Sequence, residues 1–130
     1  MFLATVHTKQ DQAIRVASRE ALDRLVVEVS EFVDAHGPFL VTFDCRGCTT
    51  YLGLTQSRGV VHIVPNPDAP PYMITVGDPT EDGVIAFMLH GEHHTEIEAK
   101  HLVPVADAWA AVRMFIETGN LLPSIVWEEV

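Results

Sequence analysis

Phe39-Leu40-Val41-Thr42-Phe43-Asp44-Cys45-Arg46-Gly47-Cys48-Thr49-Thr50-Tyr51-Leu52-Gly53-Leu54-Thr55 is the part of the chain on which the fold turns. Phe39 to Cys45 and Thr49 to Thr55 are rich in β-branched and aromatic residues, which pack well on a pleated surface. Arg46-Gly47 lies between two cysteines and reads as a two-residue hairpin turn with Cys45 and Cys48 as the flanking pair. A connection this short makes its strands antiparallel neighbours. The same texture continues downstream through Gly59 to Val64, Tyr72 to Val76, Val84 to Leu89 and Thr95 to His101. Ser57-Arg58-Gly59, the proline-rich Pro65 to Pro71, Gly77-Asp78-Pro79 and Gly91 separate these runs. A meander of short antiparallel strands is expected. In Thr95 to His101, Ile97 and Ala99 alternate with Glu96, Glu98 and Lys100, so one face packs and the other is wet.

Upstream, residues 2 to 7 and Gln12 to Val16 read as two further strands around the polar turn Thr8 to Asp11. Ser18 is a candidate N-cap. After it, Leu22, Leu25, Val26, Val29 and Val33 form one apolar stripe at helical spacing. Gly37-Pro38 stops that helix, the glycine suiting a left-handed cap. Downstream of the meander, Pro104 opens a second helix whose stripe is Val105, Ala108, Trp109, Val112, Phe115 and Ile116, and Gly119 closes it. Ser124 to Glu129 reads as a final strand in which Trp127 alternates with Ile125, which predicts burial against the helices. The expected class is α+β: a single domain over residues 1–130, with an antiparallel sheet of about six to eight strands and two amphipathic helices on one face.

The 130 residues suit one compact unit with a core that needs no staple. Hydrophobic residues at 48% exclude a disordered chain. Apolar runs such as Ile85 to Leu89 fall far below the ~20 residues that span a bilayer. Met1 to His7 has no basic start and no long apolar segment, so no signal peptide is read and a cytoplasmic protein is expected. Eight Lys plus Arg against eighteen Asp plus Glu leave a net charge of −10. Such a balance repels phosphate backbones, which argues against nucleic-acid binding and suits either plain solubility or a basic partner.

Two constellations could carry chemistry. Cys45-x-x-Cys48 has a redox motif's spacing, but the strand-like Thr49 to Leu54 follows it where a helix N-terminus would be needed to lower the thiol pKa. His90, His93 and His94, with His62 and His101 outside the cluster, could join the two cysteines in a zinc site. Cys48 and His90 are separated by far more than the ~12 residues between the halves of a zinc finger. The ordinary reading of His90 to His94 is a polar hairpin loop. No G-x-S-x-G, P-loop or H-E-x-x-H occurs, and no catalytic residue or cofactor is expected. A small metal-binding or redox protein using Cys45, Cys48 and the His90–His94 loop remains an alternative, as does a scaffold subunit of a larger complex.

The C-terminal quarter carries a resemblance. Ala106-Asp107-Ala108-Trp109-Ala110-Ala111-Val112-Arg113-Met114-Phe115-Ile116-Glu117-Thr118-Gly119, then Pro123 and Trp127-Glu128, resembles the end of the Imm1 family of bacterial immunity proteins. Phe115, Gly119, Pro123 and Trp127 read as structural markers: a buried ring, a helix cap, a stiffened connection and a strand anchor. The resemblance implies a non-enzymatic inhibitor of a polymorphic toxin, typically of the nucleic-acid deaminase superfamily. A toxin acting on DNA or RNA needs a basic channel, which an acidic protein can plug. The candidate contacts are acidic: Asp78, Glu81 and Asp82 in one turn, with Glu92, Glu96 and Glu98 near the histidine loop.

Overall fold

In the computed structural model, which describes residues 4–9, 12–67, 70–89 and 93–130, the central hairpin forms as read. β3 (Phe39–Cys45) and β4 (Cys48–Leu54) pair antiparallel, from Phe39 opposite Leu54 down to Cys45 opposite Cys48. Arg46 and Gly47 both take positive φ, 53° and 69°, which lets a two-residue turn follow the strands' twist. Arginine is unusual there, and its side chain has a structural job. The guanidinium crosses to the end of α2 (Val105–Thr118), where Nε donates to the Ile116 carbonyl at 3.1 Å and a terminal nitrogen donates to the Glu117 carbonyl. A helix's last carbonyls have no partner within it, and a cation there also meets the favourable end of the dipole. Arg46→Ala should therefore cost about 1–2 kcal/mol in urea unfolding. A variant as stable as the parent would show that solvent caps α2 equally well.

From this hairpin the sheet grows both ways. β5 (Arg58–Pro65), β6 (Met73–Val76) and β10 (Val126–Glu129) extend it on one side. On the other side stand β1 (Ala4–Lys9) and β2 (Gln12–Val16), giving the order β10-β6-β5-β4-β3-β1-β2. β7 (Val84–Leu89) and β8 (His93–Glu98) form a hairpin that joins through one parallel contact, Phe39 with Met88. The two-residue β9 (Val103–Pro104) pairs with the start of β5. The result is an α+β domain with ten strands among the described residues. That exceeds the expected six to eight partly because a pairing as short as β9 leaves no periodicity to read.

Both helices pack on one face, as their stripes require. In α1 (Arg19–His36) the Ser18 hydroxyl accepts the Ala21 N–H at 3.1 Å, and Leu22, Leu25, Val29 and Val33 are buried. Gly37 has φ 93° but ψ −168°, so it is not the left-handed cap expected. The chain turns straight out of the helix into β3, and the Gly37 N–H closes on the Val33 carbonyl at 2.8 Å. Gly119 does take the left-handed cap, with φ 76° and ψ 6°. Between helices and sheet, Phe43 meets Trp109 edge-on with ring centres 6.4 Å apart. Trp127 is half-buried rather than buried: β10 is an edge strand, and the indole N–H donates to the Leu122 carbonyl at 3.0 Å.

The other face of the sheet is not left to solvent. Leu40, Val60, Ile74, Phe87 and Leu102 form a second buried cluster, joined by Tyr51, Ile85 and Ile97. Phe87, Ile85 and Ile97 come from β7 and β8, so the hairpin packs against the sheet's second face. β3 is consequently buried on both sides along most of its length.

Candidate functional site

The expected strand Thr95 to His101 ends early. β8 stops at Glu98, and Ala99–His101 form a single 3₁₀ turn. Thr75 holds that turn against the sheet: its hydroxyl accepts the Val61 N–H at 3.1 Å and donates to the His101 carbonyl at 2.9 Å. The Nδ1–H of buried His101 answers by donating to the Thr75 carbonyl at 3.0 Å, and the Gly77 N–H donates to the Lys100 carbonyl at 2.8 Å. This seam sets β8 beside β6 without pairing them.

Beside this seam lies an open groove of about 640 Å³. Leu40, Tyr51, Val60 and Ile74 floor it, and Thr95 to Glu98 wall one side. Tyr72 and Val130 lie at its rim. His62 stands beside Tyr51, ring centres 6.1 Å apart. Its Nε2 is shielded from solvent and has no hydrogen-bond partner among the described residues. Burial, reinforced by nearby His101, pushes the His62 pKa below that of an ordinary imidazole. Among the described residues the carboxylates lining the groove are Glu96 and Glu98, both exposed, and no lysine or arginine lines it. Lys100 lies just outside, 3.5 Å from Glu98. Tyr51, His62, Tyr72 and Val130 were not among the sequence candidates. Tyr51 opposite His62 follows from the β4–β5 register, but that register is fixed only once the turns are seen.

The acidic candidates divide. Asp78 spends its carboxylate on its own turn, accepting from the Thr80 N–H at 2.9 Å and the Thr80 hydroxyl at 2.6 Å. Those bonds hold its pKa below the usual carboxylate value. Glu81 is half-buried and ion-paired to Arg58 at 2.7 Å. Asp82 is exposed and leads through Gly83, whose carbonyl accepts the Ala99 N–H at 3.0 Å. The turn thus ends near Glu98, at the same end of β8. Glu92, with His90 and Gly91, lies outside the described residues. The structure sets Glu96 and Glu98 on β8, ends the Asp82 turn beside that strand's last residues, and gives Asp78 and Glu81 local partners.

Cys45 and Cys48 are directly opposed free thiols. Burial pushes Cys45 up to about 11, outweighing the Thr50 hydroxyl and the Arg46 charge that favour the thiolate. Burial also raises Cys48. A strand follows the pair, so no helix N-terminus lowers either pKa. At pH 7.5 iodoacetamide should label the folded chain at least about tenfold more slowly than the urea-unfolded chain, since only the thiolate attacks. Equal rates would restore the redox alternative. Among the described residues no three His, Cys, Asp or Glu side chains gather as a metal site. His94 is exposed on β8, His93 opens that strand opposite Leu89, and His90 lies outside the described residues.

The described residues offer an apolar groove, an acidic margin and two opposed thiols whose pKa values burial raises. None of the described helices is long and apolar enough to cross a membrane. The family profile of Immunity protein Imm1 matches residues 4–129, and the chain belongs to the Imm1 family of immunity proteins. Membership makes the partner a cognate toxin and the role its neutralisation. Phe115 is buried, Gly119 caps α2, the Trp127 indole donates to the Leu122 carbonyl and Pro123 lies exposed between α2 and β10. Among curated proteins no significant match is found.

Proposed function

We propose that this immunity protein neutralises a nucleic-acid deaminase of a polymorphic toxin system, in the cytoplasm of the producing cell, by occluding the toxin's basic substrate channel. The observation that carries this reading is the charge: −10 over 130 residues, on a chain whose family binds toxins. A channel that holds a phosphate backbone presents lysine and arginine, and an acidic surface competes for them. Complementary fields also speed encounter, which matters when one escaped toxin molecule kills its producer. In this reading the chain does no chemistry, needs no cofactor, and binds neither nucleic acid nor membrane.

The test is binding of the purified chain to the deaminase domain encoded beside it, across a sodium chloride series, together with deamination of a single-stranded DNA or RNA substrate. Affinity should fall as salt rises, and deamination should stop at equimolar immunity protein. Tight binding that ignores salt, or a bound toxin that still deaminates, would remove acidic occlusion from the mechanism.

A further inference from the structure

We infer that the groove between β8 and the second face of the sheet receives a basic, extended segment of the toxin, which adds as a strand along the free edge of β8 and sets apolar side chains over the Tyr51–Ile74 floor. This rests on the toxin-binding reading above and says where and by what chemistry the contact is made.

Three observations converge on that occupant. The first is shape: about 640 Å³ lies within the roughly 300–1,000 Å³ of sites that enclose a ligand or a few side chains. The second is backbone. Among the described residues β8 pairs only with β7, so its groove-side edge can still accept a strand. The third is charge. Glu96 and Glu98 wall the groove on β8. On β10, Glu128 lies opposite Ile74, and cross-strand partners share a face, so a third carboxylate stands on the floor's side. A second copy of this chain, itself at −10, would bring like charges onto that edge. A strand alternating basic and apolar residues would bring its cations to the carboxylates and its apolar side chains to the floor.

The first probe is a short acetylated peptide alternating lysine and valine, titrated into the isotope-labelled chain and followed by NMR, with a glutamate–valine peptide as control. Amide shifts should concentrate at Thr95 to Glu98, Tyr51, His62 and Val130. Shifts spread equally over exposed Glu28 and Glu31 of α1 would overturn the inference. The second arm compares two doubly substituted chains against the toxin domain, E96K/E98K and E28K/E31K, which change the net charge equally. The groove pair should weaken binding about a hundredfold, as loss of close complementary charges does, and the helix pair by about threefold or less. Equal losses would mean that only the overall charge matters. Val130→Lys, at a half-exposed position (51%), gives the same readout should the β8 pair fail to fold. Should the unaltered chain not bind the toxin, both readings fall. Should it bind and E96K/E98K bind equally well, only the docking site falls.

Discussion

Gly77→Ala is expected to be the most damaging single-methyl change in the molecule. A Cβ on Gly77 would lie 1.8 Å from the Leu102 carbonyl oxygen and 2.9 Å from its carbon. Those atoms are backbone, held by the Leu102 N–H bond to Ala99 and by β9, so no side chain can swing aside. The methyl must push the 3₁₀ turn off the sheet and break the Gly77–Lys100 and Thr75–His101 bonds. The cost should reach about 3–5 kcal/mol, the range of buried networks broken by overpacking. Gly83→Ala is the control. Gly83 has φ +97° with nothing within 4 Å of the added methyl, so conformational strain alone should cost about 1 kcal/mol. Urea unfolding followed by circular dichroism separates the two. A Gly77→Ala loss no greater than that of Gly83→Ala would mean that the seam is soft.

Phe87→Ala should cost about as much, and it should also touch function. Phe87 is fully buried and packs its ring against Gly53, so closely that a Cβ there would come within 3.0 Å of it. Truncating a buried phenylalanine costs about 3–5 kcal/mol through lost transfer energy and the cavity left behind. Phe43→Ala should cost the same, since Phe43 is equally buried on the helix side. The two differ in what they loosen. Phe87 secures the β7–β8 hairpin on the second face, so its loss frees β8 beside the groove. Phe43 secures helices that lie away from it. Under conditions where both variants are folded, toxin affinity should drop for Phe87→Ala and stay near the parent value for Phe43→Ala. Equal affinities in both would detach the hairpin from binding.

Local signals carried far along this chain because its elements are short and sharply punctuated. The apolar stripes named both helices, Ser18 and Gly119 marked a true cap at one end of each, and Arg46-Gly47 announced the central turn. The C-terminal run from Ala106 to Glu128 was distinctive enough to suggest the family whose profile matches nearly the whole chain, residues 4–129. Gly37 shows the limit of such signals. Glycine permits positive φ but does not say which ψ accompanies it, and here the next strand decided.

The acidic candidates show the same limit from the other side. Asp78, Glu81 and Asp82 look alike in sequence, yet one caps its turn, one pairs with Arg58 and one is exposed. Those fates depend on residues as distant as Arg58, which no local pattern reveals. Helix positions, the hairpin, the α+β class and the acidic character were thus legible from composition and period, which act between near neighbours in the chain. Tertiary structure alone decided the covering of the second face by β7 and β8, the conversion of Ala99–His101 into a 3₁₀ turn, and the groove between β8 and that face. Each depends on contacts between residues far apart in the chain, such as Thr75 with His101 and Phe87 with Gly53, and exists only after the sheet has brought those backbones together.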